Sequence, residues 1–452
     1  MNTPIVDFVR KYAEADFSRF HMPGHKGHTF VGCEALDITE IDGADVLYMS
    51  EGIIKESEEN SASLFHTAKT YYSTEGSSLA IRAMIGAVCD VPHNNADKPL
   101  ILAARNVHKA FIYACAAIDV DVQWIYPKNF THLCSCLISA ADVEQAICSC
   151  PRMPAAVYLT SPDYLGNIAD IAAISSICEK HGVLLLVDNA HGAYLHFLEE
   201  SLHPIRLGAH MCCDSAHKTL PVLTGGAYLH CSKKCPEKYI KKAQKMLCVF
   251  ASTSPSYLIL QSLDLCNKYL TDNFQSRLYA TIEHVSSAKE RLTAMGVTVK
   301  PSEPLKIVVD IQNTGLGRNE IYTMLWENKV SLEMCDDTFA VFMVTPENDV
   351  RDINRLISTF EIISSHASFT TEDSPVISIP KKHNTPLSIR QAVFADQIRI
   401  PTENSAGKIC AAPVISCPPA VPIVISGEEI TQNDVQTMKK YHIDYIDVVS
   451  DK

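Results

Sequence analysis

Leu184-Leu-Leu-Val-Asp-Asn-Ala-His-Gly-Ala193 is a run of aliphatic residues that ends on an acid. A short apolar run of this kind reads as a buried strand, which puts Asp188 at its carboxyl end. A carboxylate left there is costly unless a cation or hydrogen-bond donors meet it. The plainer alternative is an acid that caps the next turn. Asp214-Ser-Ala-His-Lys-Thr-Leu220 repeats the arrangement, with Lys218 directly after another apolar strand. Lysine is almost never buried without a partner. Desolvation lowers its pKa and makes it an amine nucleophile of the kind that Schiff-base chemistry needs.

Outward from this pair the chain alternates. The stretches 99–104, 122–126, 155–160, 183–187, 209–213 and 227–230 read as buried strands. Between them lie helical patterns: Ile81, Met84, Ile85 and Val88 form one apolar face, and Asp170 caps a helix that Gly182 ends. Such alternation gives an α/β fold, with a mostly parallel sheet covered on both faces. Ligands of such sheets bind beyond the carboxyl ends of the strands. Further on, 258–295 reads as unbroken helix. Strands are expected at 305–311, 330–334 and 339–344, a short helix at 388–394 and an extended apolar segment at 418–425.

Two more segments fall at the same edge. Ser73-Thr-Glu-Gly-Ser-Ser78 opens a helix with small residues. Free backbone N–H groups and the helix dipole there suit an anion, with the Ser77 and Ser78 hydroxyls as further donors; an ordinary N-cap is the alternative. Ser215 and His217 are additional donor candidates. Ala104-Arg-Asn-Val-His-Lys-Ala110 places His108 after a strand, where an aromatic ring suits stacking on a flat cofactor.

Composition removes other classes. The chain has 452 residues, 47% hydrophobic and 20% charged, so it is globular and long enough for several domains. Its net charge of −13 argues against a nucleic-acid surface and favours small ligands, cations mildly. No apolar run is long enough to span a bilayer, and no signal peptide is expected at the start. The 17 cysteines are scattered and lack zinc-ribbon spacing, so they read as core thiols in a reducing cytoplasm, with no metal site expected.

Taken together, these segments resemble the Orn/Lys/Arg decarboxylase family of fold-type-I PLP enzymes. The resemblance runs over His21-Met-Pro-Gly-His-Lys-Gly27, Arg105-Asn-Val-His-Lys109, Thr160-Ser-Pro-Asp-Tyr-Leu-Gly-Asn-Ile-Ala-Asp170, Asp188-Asn-Ala-His-Gly192 and Ser215-Ala-His-Lys-Thr-Leu-Pro-Val-Leu-Thr224. It continues through Ser252-Thr-Ser-Pro-Ser-Tyr257 to Cys417-Pro-Pro-Ala-Val-Pro-Ile-Val-Ile-Ser-Gly-Glu428. It implies an aspartate-aminotransferase-like large domain with a mixed, mostly parallel seven-stranded sheet. The implied division is an N-terminal segment (1–55), the PLP-binding domain (56–290), a small α/β domain (291–364), a linker (365–386) and a C-terminal domain (387–452). A short form without the extra N-terminal domain of the large relatives is expected, without assuming their rings.

By the same resemblance Lys218 would hold pyridoxal 5′-phosphate as a Schiff base and Asp188 would pair with the pyridine nitrogen. His108 and Ala190 would lie on the two ring faces, with His191 beside the cofactor. Ser77, Ser78, Ser215 and His217 would take the phosphate, with backbone amides near Gly76. Thr253 or Ser254 would reach the phosphate of the partner in a homodimer or a multiple of dimers. Lys218 or His217 would return a proton to Cα. The substrate would be a basic amino acid (arginine, lysine or ornithine), with Glu428 or Glu429 meeting its distal cation, and the amine product would feed polyamine or diamine formation. Asn189, Glu75 and Ala110 depart from the family's usual Glu, Asn-rich loop and Ser. The competing readings are another fold-type-I reaction, such as transamination or aldol cleavage, and a non-catalytic regulatory paralogue. Retention of Lys218 and Asp188 weighs against the last.

Overall fold

The computed structural model describes residues 1–89, 98–128, 132–369, 382–416 and 421–450. Its elements up to the catalytic edge are Pro4–Glu14 (α1), Ile53–Leu64 (α2), Lys69–Ser73 (β1), Gly76–Val88 (α3), Leu100–Ala104 (β2), Lys109–Ile118 (α4), Asp121–Ile125 (β3), Ala140–Cys148 (α5), Ala156–Thr160 (β4), Ile171–His181 (α6), Leu184–Asp188 (β5), Met211–Asp214 (β6), Ala216–Thr219 (α7) and Ala227–Cys231 (β7). The seven strands form one sheet in the order β1-β7-β6-β5-β4-β2-β3. Strands β2 to β6 run parallel, and β7 is antiparallel to both its neighbours.

The aliphatic run of β5 is buried on both sides, which is why it shows no alternation. Leu184 and Leu186 enter one core with Ile101, Tyr158 and Met84, whereas Leu185 and Val187 enter the other with Val157, Leu159 and Ile174. Strand β1 was not expected from the sequence. Lys69-Thr-Tyr-Tyr-Ser73 is polar, and it is a strand because it pairs residue for residue with β7, from Lys69 opposite Cys231 to Ser73 opposite Ala227.

Three expectations need correcting. The helix expected over 258–295 is two, Tyr257–Thr271 and Phe274–Ala294, because Asn273 takes a left-handed φ of 56° between them. The strand expected at 330–334 shrinks to Met334–Cys335. Lys329 (φ 63°) turns the chain out of the helix Arg318–Glu327, and the Val330 amide still donates to Leu325 O as a helix exit. Within 365–386, the helix Val350–His366 covers the first two residues, and 370–381 lie outside the described residues.

Met334–Cys335 joins Thr298–Lys300, Lys306–Asp310 and Phe339–Met343 in a four-stranded antiparallel sheet. The last strands form two pairs, Gln397–Pro401 with Tyr445–Val449 and Val414–Ser416 with Val421–Val424. The short helix Ile389–Phe394 is present with a Ser388 capping box. Among the described residues no helix is long and apolar enough to cross a membrane.

Glu58 on α2 is buried beside β1 of the seven-stranded sheet, where it accepts the Tyr72 amide at 3.0 Å and lies 3.6 Å from Lys69 Nζ. Burial pushes its carboxyl from 4.5 up to about 7, against the pull of Lys69. A folded pKa above the unfolded one means stability that is full below about pH 4.5 and lost as pH rises through 7. Between pH 5 and pH 8 the Glu58→Gln variant should lose less stability in urea than the wild type, by an amount on the order of 3 kcal/mol.

Candidate active site

Parallel pairing brings the strand ends to one edge. Strand β5 ends on Asp188, and β4 ends on Thr160 directly opposite it. Strand β6 ends on Asp214, after which Ser215 leads into the single turn of α7 that carries His217 and Lys218. After β2 the chain reaches His108, which caps α4 by accepting the Ala110 amide on Nδ1 at 3.1 Å. That bond leaves the ring proton of neutral His108 on Nε2.

The half-buried Lys218 ammonium is held below its ordinary pKa by burial, with Asp188 and then Glu333 opposing and Lys306 adding to the fall. Burial likewise lowers His108, against the field of Asp188 and with that of Lys218. His191 is held well below its usual value by burial, then by Lys218, Lys306, His217 and His108. Its Nε2 is 3.2 Å from Lys218 Nζ. These are neutral imidazoles around an amine that is unusually easy to deprotonate.

Asp188 is 2% exposed, and the donors to its side chain are neutral and long: Ala190 N–H at 3.2 Å, Tyr158 O–H at 3.4 Å and Cys213 S–H at 3.5 Å. No salt bridge reaches it among the described residues. A carboxylate this buried and this weakly satisfied suits a cationic partner supplied by a ligand.

The anion seat is partly prearranged. Ser215 Oγ and Ser77 Oγ are 2.8 Å apart at the start of α3, where the first-turn amides have no partner within the helix. Gly76 takes a left-handed φ of 70°, and a Cβ built there would meet open space. Its own amide does not face that space, being donated to Gly225 O at 2.7 Å. Glu75 points away, its carboxylate accepting the Ser252 amide at 2.7 Å, so its charge is drawn from the seat. Thr253 and Ser254 are exposed on the following loop. His217 donates Nδ1–H to Gly226 O at 2.9 Å, so its Nε2 must gain a proton before it can donate to an anion.

The departures also find partners. Asn189 donates to Asp214 Oδ1 at 2.7 Å, and its side chain folds back so closely that a Cβ on Gly192 would collide with it. Asp214 Oδ2 in turn lies 2.9 Å from His203 Nε2 and 3.3 Å from His230 Nε2, all three fully buried. Burial alone would raise the Asp214 carboxyl, but these two histidines turn the net shift downward. Ala110 is buried against the core.

Glu428, a candidate for the substrate's distal cation, is buried, 2.8 Å from Arg105 Nη2, and accepts the Ile425 amide at 2.8 Å. Glu429 accepts from Asn384 Nδ2 at 2.9 Å. Two groups at the site escaped the sequence reading. Tyr164 donates to Glu333 Oε1 at 2.6 Å, and its ring is edge-on to His191 at 5.3 Å. Lys306 lies 2.8 Å from Glu303 Oε1, whose other oxygen accepts the Tyr194 hydroxyl at 2.5 Å. Tyr164 lies in the stretch quoted from Thr160 to Asp170, where it was assigned no role, whereas Glu333, Glu303 and Lys306 come from segments far along the chain, where lone Glu and Lys residues give no local signal.

The fold is that of the fold-type-I PLP enzymes, with Lys218 and Asp188 at the edge where the strands end. Residues 3–347 match the family described as Orn/Lys/Arg decarboxylase, major domain, and the chain belongs to that family. It is 28% identical over 465 residues to the arginine decarboxylase of Halalkalibacterium halodurans, an alignment covering 97% of this chain and 93% of the relative. The lysine decarboxylase of Francisella novicida superposes with a TM-score of 0.79 at 18% identity, over 99% of this chain and 81% of that one. Serine palmitoyltransferase of Sphingomonas wittichii does so with a TM-score of 0.56 at 14% identity, over 81% and 85%. The chain is therefore a PLP-dependent amino-acid decarboxylase. Its own residues fit that cofactor: a buried carboxylate lacking a cation, a lysine of lowered pKa, and paired serine hydroxyls at a helix start.

The Arg105–Glu428 pair ties the C-terminal strands to the end of β2, with Arg105 also over the Trp124 ring at 5.2 Å. Removing one partner strands a buried charge. Arg105→Met or Glu428→Gln should each destabilise the protein by about 3–5 kcal/mol, and the double variant by much less than the sum. A denaturant double-mutant cycle reads this directly.

Proposed function

We propose that the enzyme removes the α-carboxylate of a basic amino acid, arginine first among arginine, lysine and ornithine, to give the corresponding amine for polyamine or diamine formation. The observation that carries this is the Lys218–Asp188 site within a chain whose relative, aligned from end to end, bears the name arginine decarboxylase.

In this reading Lys218 holds PLP and Asp188 meets its pyridine nitrogen. His108 and Ala190 flank the ring with His191 at its edge, and Ser77, Ser78, Ser215 and His217 hold the phosphate. PLP supplies an electron sink for the pair left at Cα when CO2 departs. The protein does the rest. Burial keeps Lys218 readily deprotonated, so its amine exchanges with the substrate's α-amine. Asp188, excluded from water, keeps a proton on the ring nitrogen. Lys218, rather than His217 with its Nδ1 committed to Gly226, returns the proton to Cα.

The proposed division is 1–55, 56–290, 291–364, a linker 365–386 and 387–452; the seven-stranded sheet lies within the second segment and the four-stranded sheet within the third. Assembly as a homodimer, with Thr253 or Ser254 reaching the partner's phosphate, is supported by apolar side chains bared near the N-terminal signature: Phe20 is 96% exposed, Phe30 80% and Val31 88%. A cytoplasmic setting is supported by the unpaired thiols, most of them buried.

Incubation with arginine, lysine and ornithine should release CO2 and the matching amine from at least one of them. Lys218→Ala should abolish release and the visible absorption of bound PLP together. Keto acid formed without CO2, or CO2 release undiminished in Lys218→Ala, would contradict the proposal.

A further inference from the structure

We propose that His203, His230, Asp214 and Cys212 form a closed, structural zinc site beneath the strand that leads to Lys218. The inference is independent of the decarboxylase reading, in which none of these four residues meets the cofactor.

Strand pairing assembles the ligands. Cys212 and Asp214 stand two apart on β6 and so share one face of the sheet. His230 on β7 is opposite Cys212, and Thr70 on β1 is opposite His230, so the three form a row across the strands. His203 closes the group from the loop before β6. All four ligands are completely buried. Asp214 Oδ2 lies 2.9 Å from His203 Nε2 and 3.3 Å from His230 Nε2. Cys212 Sγ lies 4.0 Å from His203 Nε2 and 3.8 Å from Asp214 Oδ1. Zinc bonds of about 2.0–2.3 Å at tetrahedral angles space ligand atoms roughly 3.3–3.6 Å apart, a value the four separations bracket. No cysteine spacing announces such a site, because cross-strand pairing and not a local motif brings the ligands together.

Hydrogen bonding leaves the centre short of a cation. Thr67 donates its hydroxyl to Ala62 O, so Thr70, 2.8 Å away, donates to Thr67 and is left to accept His230 Nδ1–H at 2.8 Å. His230 Nε2 is then a bare lone pair, and it faces Asp214 Oδ2 without an aligned hydrogen bond. Two buried acceptors so placed need a cation between them. Asn189 holds Asp214 Oδ1 at 2.7 Å, which leaves Oδ2 to the ion. His203 Nδ1 has only a long contact, 3.4 Å, from the Ile205 amide, so that nitrogen can take the ring proton. Zinc displaces the proton of the Cys212 thiol, and the two anionic ligands then cancel its charge. A group that carries one buried negative charge thereby becomes neutral. Four protein ligands without exposure mark a structural zinc rather than a catalytic one. The other buried cluster of such ligands among the described residues, His132, Cys134 and Asp336, differs. There His132 Nδ1 accepts the Cys134 amide at 3.1 Å, so Nε2 keeps its proton beside Asp336 Oδ2 at 3.2 Å.

The test is metal analysis of the PLP-loaded protein, produced in zinc-supplemented medium and dialysed against EDTA. About one zinc per chain should remain, because a site without exposure gives up its ion only when the fold opens. His230→Gln should lower the content at least about 10-fold, whereas Cys134→Ser should leave it unchanged. X-ray absorption at the zinc edge of the wild type should show one sulfur at about 2.3 Å and three lighter ligands at about 2.0–2.2 Å. Should His230→Gln fail to fold, Cys212→Ser takes its place and should lose either the zinc or its sulfur neighbour. Wild-type protein without zinc, zinc kept in His230→Gln, zinc lost in Cys134→Ser, or a sulfur neighbour kept in Cys212→Ser overturns the proposal.

Discussion

The structure depends on keeping a carboxylate and an amine together, out of water, at one edge of a parallel sheet. Asp188 and Lys218 belong to neighbouring strand ends, and the field of the first partly offsets the desolvation of the second. Neither is satisfied by the protein alone: the donors to Asp188 are long and neutral, and Lys218 has a neutral imidazole at 3.2 Å. Groups left in such a state store reactivity rather than stability. A cofactor with a basic ring nitrogen at one end and an aldehyde carbon beside the amine resolves both deficits at once.

The surrounding shell is built differently, with its charges paired inside the protein. Asp214, four residues before Lys218, is enclosed by His203, His230 and Asn189, which fixes the start of the lysine turn. Arg105 and Glu428 clamp the end of β2 to the C-terminal strands, and so steady the loop that carries His108. Glu303 and Lys306 do the same for the small sheet against Tyr194. A frame of paired charges around an unpaired centre is what preorganised catalysis needs.

Much of this was legible in the amino-acid order. The aliphatic run ending on Asp188, the strand before Lys218 and the small residues from Gly76 to Ser78 gave the fold class and the catalytic edge, because strand-end chemistry is local in sequence. What was not legible is set by tertiary pairing. Strand β1 is polar and exists because β7 offers it a partner. The break at Asn273 depends on one left-handed residue that no run of breakers announces. Glu428 was a candidate for the substrate's distal cation; that it pairs with Arg105 was not legible, because the two are more than three hundred positions apart. Tyr164 stands in the quoted stretch from Thr160 to Asp170, but its partner Glu333 stands in no motif, so their pairing could not be read from the sequence.

The account is tested most directly by reducing the PLP-reconstituted protein with borohydride and mapping the pyridoxyl group by peptide mass spectrometry, in the wild type and in Asp188→Asn. The label should fall on Lys218 in both, with the visible band of the variant shifted because its ring nitrogen has lost the anion. A label on another lysine, or an Asp188→Asn spectrum identical to the wild type, would mean that these two groups do not share one cofactor.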